Sequence, residues 1–122
     1  METKIQKKFL DIGFGFPVRL KNVPMIKVRG ARTPKVNYNH LAKAVLRGLA
    51  FKTSRLTGAE VKFIRTYFEM TLQSFAKRFY VAHVAVMKWE RSIEHPTVMG
   101  WSTEKDVRMF ILSKLKAKAV MI

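Results

Sequence analysis

Between Thr57 and Trp89 the apolar residues recur at helical spacing in three short runs, and this restricts the fold more than any other feature. Val61, Ile64 and Phe68 make one stripe. Leu72, Phe75, Ala76 and Phe79 follow at i, i+3, i+4 and i+7, and Val86 and Trp89 make a third. The starts are marked. Thr57-Gly58-Ala59-Glu60 is a capping box, in which the Thr hydroxyl takes an orphan amide and the Glu reaches back. Thr71 caps the next helix. Thr103, with Asp106 three residues on, opens a last helix through Val107, Phe110, Ile111 and Leu115.

Two short helices joined by about three residues give a helix-turn-helix, whose second helix lies in the DNA major groove while the first crosses the backbone. Ala76 is small enough to let the two helices approach. Val81 and Val86 pin the turn and the second helix, and Trp89 falls on the same buried side as Val86. Trp89 and Phe79 therefore read as core, and Glu90 as the partner of a basic side chain or a helix-end cap. The face left outside holds His83, Val84, Met87 and Lys88. Lys88 can reach guanine N7 and O6, His83 can donate or accept at a base edge, and Val84 and Met87 suit thymine methyls. Plain solvation of His83 stands open beside base contact. Gln73, Lys77, Arg78 and Arg91 are the expected backbone contacts.

The N-terminal part reads differently. Residues 11–38 hold three of the six glycines and three of the four prolines, a pattern of short strands and turns. The expected strands are "PVRL" and "MIKVR", joined near Lys21-Asn22. From Asn39, a candidate cap, Leu41, Val45, Leu46 and Leu49 recur at helical spacing to about Phe51, and "KTSR" follows as a linker. The expected organisation is a basic α+β region over 1–54 and a helix-turn-helix domain over 55–122.

Charge points to the partner. The 122 residues carry 24 Lys and Arg against eight Asp and Glu, a formal net charge of +16. Such a surplus calls for a polyanion, nucleic acid first and anionic membrane second. Arg19, Lys21, Lys27, Arg29, Arg32 and Lys35 follow one another with no acid between them. They read as a solvated surface, a second element gripping phosphates, or a surface for an acidic protein. The absence of cysteine excludes disulfides and thiolate zinc sites. No apolar stretch reaches the ~18 residues of a membrane span, and "METKIQKKFLDIG" lacks a signal peptide's apolar core, so a cytoplasmic location is expected. Nothing forms a catalytic set. "GFGF" lacks the third glycine of a dinucleotide fingerprint, and His40 and His95 have no carboxylate at ligand spacing.

The stretch "MTLQSFAKRFYVAHVAVMKWERS" resembles the Xre/Cro-type helix-turn-helix, which shows a Ser-Gln start, a Leu-Ala pair, a Gly-Val turn, a Ser cap and a Trp-Glu end. Thr71, Phe75-Ala76, Val81, Val86 and Trp89-Glu90 hold the matching positions. With the preceding "LTGAEVKFIRTYF", the resemblance narrows to MqsA-like and HigA-like antitoxins over residues 55–115. It implies an Xre-like DNA-binding domain, and a small toxin protein as a partner. Three departures qualify it. The cysteines that hold zinc in MqsA-like N-terminal domains are missing, so that metal site does not carry over. Tyr80 stands where the turn glycine is usual, which is expected to reshape the turn. Ala82 stands at the Ser cap, forfeiting about 0.5–2 kcal/mol. The basic N-terminal half also argues against a toxin-binding surface, which is often acidic.

These readings converge on an α+β protein that binds duplex DNA in a sequence-specific way, as a regulator repressing its own operon, without a cofactor. A two-fold homodimer is expected, with Phe110, Ile111 and Leu115 as its surface or, equally, as ordinary core. An antitoxin that also neutralises a toxin, and a basic protein binding nucleic acid without sequence preference, stay open as alternatives.

Overall fold

In the first forty residues, alternation is weak because few side chains leave water. The computed structural model describes residues 3–120. Strands β1 (Thr3–Asp11), β2 (Val18–Val28) and β3 (Ala31–Pro34) form an antiparallel sheet in the order β1-β2-β3. β1 carries no turn residues and no clean period-2 pattern, and it adds a strand to the two expected from the sequence. Its register with β2 runs from Thr3 opposite Ile26 to Asp11 opposite Val18.

The expected break at Lys21-Asn22 is a kink inside one continuous strand. Val18 and Leu20 are half-buried and Val23 and Met25 are buried, so the inward positions change phase between them. Asn22 lies there with φ +53°, a left-handed conformation that Asn tolerates better than most residues. The pairing register is the same on both sides of it. The turn from β2 to β3 is the two-residue Arg29-Gly30, both with positive φ, which suits the right-handed twist of the flanking strands. Asp11 is buried, and its carboxylate accepts the Gly13 amide at 2.6 Å. Burial and the nearby Asp11 carboxylate, in that order, raise the Tyr38 phenol above its usual pKa.

Helices α1 (Tyr38–Phe51), α2 (Gly58–Tyr67), α3 (Leu72–Arg78), α4 (His83–Arg91) and α5 (Trp101–Val120) follow. The fold is α+β, as expected. The chain divides into two units between Ala42 and Lys43, inside α1, and not near residue 54. Leu46, Leu49 and Ala50 of α1 are buried, which gives the C-terminal part of that helix to the second unit. The cap of α1 is Asn37, whose side chain accepts the Asn39 and His40 amides, so Asn39 itself is not the cap.

The second unit is built around buried Leu56, Val61, Ile64, Phe75, Phe79, Val86, Trp89, Met99, Val107, Phe110 and Ile111. Phe75 meets Phe79 with the rings tilted at 4.8 Å, and Phe68 and Phe79 each meet Phe110 edge-on at 5.3 and 5.5 Å, an arrangement aromatic rings favour. Phe110 and Ile111 are thus core. They cannot also present a dimer surface, because their apolar area is already spent inside the protomer. Leu115 is half-buried.

α5 begins earlier than Thr103 suggests. The Glu104 amide donates to the Gly100 carbonyl, Thr103 lies inside the helix, and Asp106 pairs with Arg78 at 3.2 Å. Glu104 is wholly buried. Its carboxylate takes Arg108 Nη2 at 2.8 Å and faces Arg55 Nε at 3.0 Å. Arg108 also donates to the Lys52 and Ser54 carbonyls, so this cluster ties the segment after α1 to α5.

Candidate nucleic-acid interface

α3 and α4 are two short helices joined by Phe79–Ala82. Thr71 caps α3 by accepting the Ser74 amide at 3.0 Å. α3 ends in paired bonds, from the Tyr80 amide to the Lys77 carbonyl and from the Val81 amide to the Ala76 carbonyl. This is the helix ending that needs a left-handed residue at the position of Tyr80. Tyr80 supplies it with φ +58°, and its side chain is 91% exposed. The turn is therefore kept rather than reshaped, and tyrosine bears the backbone strain that glycine would avoid. Tyr80→Gly is expected to stabilise the unit by about 1 kcal/mol, raising the melting temperature by several degrees in a thermal scan.

α4 is held from below and behind. Val86 and Trp89 are buried, and α4 packs on both α2 and α3. Arg65 of α2 grips Glu90 with two bonds, Nε to Oε2 at 2.6 Å and Nη2 to Oε1 at 3.0 Å. Its Nη1 donates to the Met70 carbonyl at 2.9 Å, just before α3. One guanidinium thus fixes α4 to α2 and to the approach of α3. The charge-assisted bonds to Glu90 raise the pKa of Arg65 further above its ordinary value, against the opposing effect of burial.

The start of α2 meets the end of α4 at backbone distance. The Ala59 amide donates to the Ile93 carbonyl at 2.8 Å, and a Cβ on Gly58 would lie 2.3 Å from the Trp89 carbonyl oxygen. Only glycine fits there. The capping box is present as read: the Glu60 amide donates to the Thr57 hydroxyl, and the Thr57 amide to the Glu60 carboxylate at 2.8 Å. Glu60 also pairs with Lys52 at 2.7 Å.

With that side of α4 fixed, His83, Val84, Lys88 and Arg91 are exposed and Met87 is half-buried. Ala82 makes no side-chain cap bond to the first turn of α4, whose Ala85 amide donates to the Ala82 carbonyl at 2.9 Å. Gln73 and Lys77 are exposed on α3. Arg78 differs from the other expected backbone contacts. It pairs with Asp106 and lies over the rings of Phe79 and Phe110 at 4.8 and 5.2 Å, fastening α3 to α5.

Arg19, Lys21, Lys27, Arg29, Arg32 and Lys35 are all exposed in the N-terminal unit. Sequence reasoning passed over Lys4, Lys7 and Lys8, which β1 adds to that unit; the basic tract "KIQKK" was the available signal. It also passed over Arg65, for which the only cue was an arginine on a helix preceding a Trp-Glu pair. Among the described residues, no three His, Cys, Asp or Glu side chains gather as a metal site, and no helix is long and apolar enough to cross a membrane. No known protein family, curated protein or solved structure matches this chain.

Proposed function

We propose that this protein binds duplex DNA with sequence preference and acts as a transcriptional regulator, as a repressor. One observation carries the reading. α4 buries Val86 and Trp89 and leaves His83, Val84 and Lys88 exposed on its other side, on a protein of net charge +16. A small basic helix so anchored, with apolar and cationic side chains together on its free face, suits a major groove, where base edges and thymine methyls lie side by side. Lys77, Arg91 and Gln73 would supply phosphate contacts. These give most of the affinity and make it fall with salt, while His83, Val84, Met87 and Lys88 discriminate among sequences. A second copy of the chain would supply the second half-site reader, on a surface other than Phe110 and Ile111.

The test is a gel-shift titration against the DNA upstream of its own gene, with a scrambled competitor and two salt concentrations. Lys88→Ala is expected to lose about 1–3 kcal/mol on the preferred duplex and less on the scrambled one. Equal losses on both would make Lys88 a phosphate contact and remove it from sequence reading.

A further inference from the structure

The N-terminal sheet sets like charges against each other, and among the described residues no ion pair balances them. Lys8 of β1 lies directly opposite Lys21 of β2, and Lys27 of β2 lies directly opposite Arg32 of β3. Directly opposed side chains on neighbouring strands stand within about 5 Å at Cβ, and like charges in those positions weaken a sheet. All four side chains are exposed, so none contributes to a core that would repay the repulsion. Lys4, Lys7, Arg19, Arg29 and Lys35 are exposed in the same unit. The acid described there, Asp11, is buried and bonded to the Gly13 amide. Among the described residues no carboxylate forms an ion pair with any of these cations.

We infer that the sheet of residues 3–34 is a second nucleic-acid-binding surface, which grips the phosphate backbone of duplex DNA through the opposed pairs Lys8–Lys21 and Lys27–Arg32. This extends the reading of α4, from which it takes duplex DNA as the partner. Lys21 and Lys27 are six residues apart on β2, about 20 Å of strand, with the change of phase at Asn22 between them, so each pair makes its own phosphate contacts rather than sharing one stretch of backbone. Polyanion binding turns the repulsion within each pair into an attraction shared with the ligand. Lysine supplies most of the charge, and it is depleted from the cores of protein–protein interfaces, whereas protein–DNA interfaces are strongly positive. That contrast favours DNA over an acidic protein as the occupant. The exposed Arg29-Gly30 turn lies between Lys27 and Arg32 in the chain, and the Arg29 side chain adds a further guanidinium near the second pair.

The experiment uses the full chain with Lys8→Thr/Lys21→Thr and Lys27→Thr/Arg32→Thr, separately and combined, threonine being compatible with strands. Binding to a preferred and a scrambled 30-base-pair duplex is measured at 50 and 200 mM salt. Each phosphate contact contributes about 0.9 to the slope of log affinity against log salt, so the combined variant, which lacks four such cations, should lose between about three and four units of slope. A fourfold rise in salt should then weaken the wild type on the order of 100-fold more than the variant. The ratio of affinities for the two duplexes should stay as in the wild type, and the melting temperature should hold or rise as the opposed charges go. Lys8→Arg/Lys21→Arg/Lys27→Arg should keep the wild-type slope, which separates charge from shape. An unchanged slope in the combined variant overturns the inference. So does an unchanged slope accompanied by lost binding to polyglutamate, which would give the sheet to an acidic protein. Loss of sequence preference on substituting α4, with the sheet slope intact, tests the helix reading alone. A wild type with no sequence preference, but with a slope that depends on the sheet, would sink the helix reading and leave this one standing.

Discussion

Trp89→Ala is expected to cost the helical unit about 3–5 kcal/mol, the usual toll for removing a buried aromatic side chain. Trp89 is 5% exposed, and with Val86 it forms the buried side of α4. Its loss leaves a hole under the helix that Arg65–Glu90 and the close contact at Gly58 hold in place, so the walls have little freedom to collapse. In a thermal scan the melting temperature should fall by more than about 10 °C for a unit of this size. Substitutions on the opposite side, at His83 or Lys88, should leave it nearly unchanged, because those side chains are exposed. A Trp89→Ala protein that melts with the wild type would mean that the wrong face of α4 had been assigned to solvent.

The second large effect belongs to Glu104. The carboxylate is wholly buried, with Arg108 bonded to it and Arg55 facing it. Glu104→Ala removes the one negative charge in this cluster and leaves two guanidinium groups without their counter-ion, at an expected cost of about 3–5 kcal/mol. Replacing a buried pair jointly by apolar residues is often nearly neutral, but here it should not be. Arg108 also donates to the carbonyls of Lys52 and Ser54, and an apolar residue at 108 would leave both without that donor. Urea denaturation of Glu104→Ala and of Glu104→Leu/Arg108→Met checks both statements. A double variant as stable as the wild type would show that the two carbonyls find water instead.

How far the sequence could be read follows from how far each side chain is committed. The stripes of α2, α3 and α4 were legible because apolar residues at helical spacing there are core, and Thr57 and Thr71 announce their helices by local chemistry that needs no tertiary contact. β1 was illegible because its apolar residues gain little burial. Ile5 is 70% exposed and Leu10 is 54% exposed, so no period marks the strand. Asn39 and Thr103 were attractive caps by residue type, yet Asn37 and Gly100 hold those places, since several polar residues near a helix start can compete for one role. Tyr80 defied expectation in the other direction. The hydrogen bonds that close α3 hold a left-handed tyrosine in place, and a sequence pattern shows the strain but not the bonds that offset it. Phe110 and Ile111 had two readings of equal merit, and only packing against Phe68 and Phe79 decides that Phe110 is core. The outer face of α4 was legible by subtraction: once Val86 and Trp89 are inside, His83, Val84 and Lys88 follow. The tie from Arg65 to Glu90 joins residues 25 apart in sequence, a distance no local pattern encodes.

The most direct measurement exposes the wild-type protein to a pool of duplexes with randomised sequence at moderate salt and sequences the bound fraction. The expected result is enrichment of a defined motif that disappears when His83, Val84 and Lys88 are replaced by alanine, although the variant stays folded and still binds DNA. A bound fraction with the composition of the input pool would contradict the claim that α4 reads base edges.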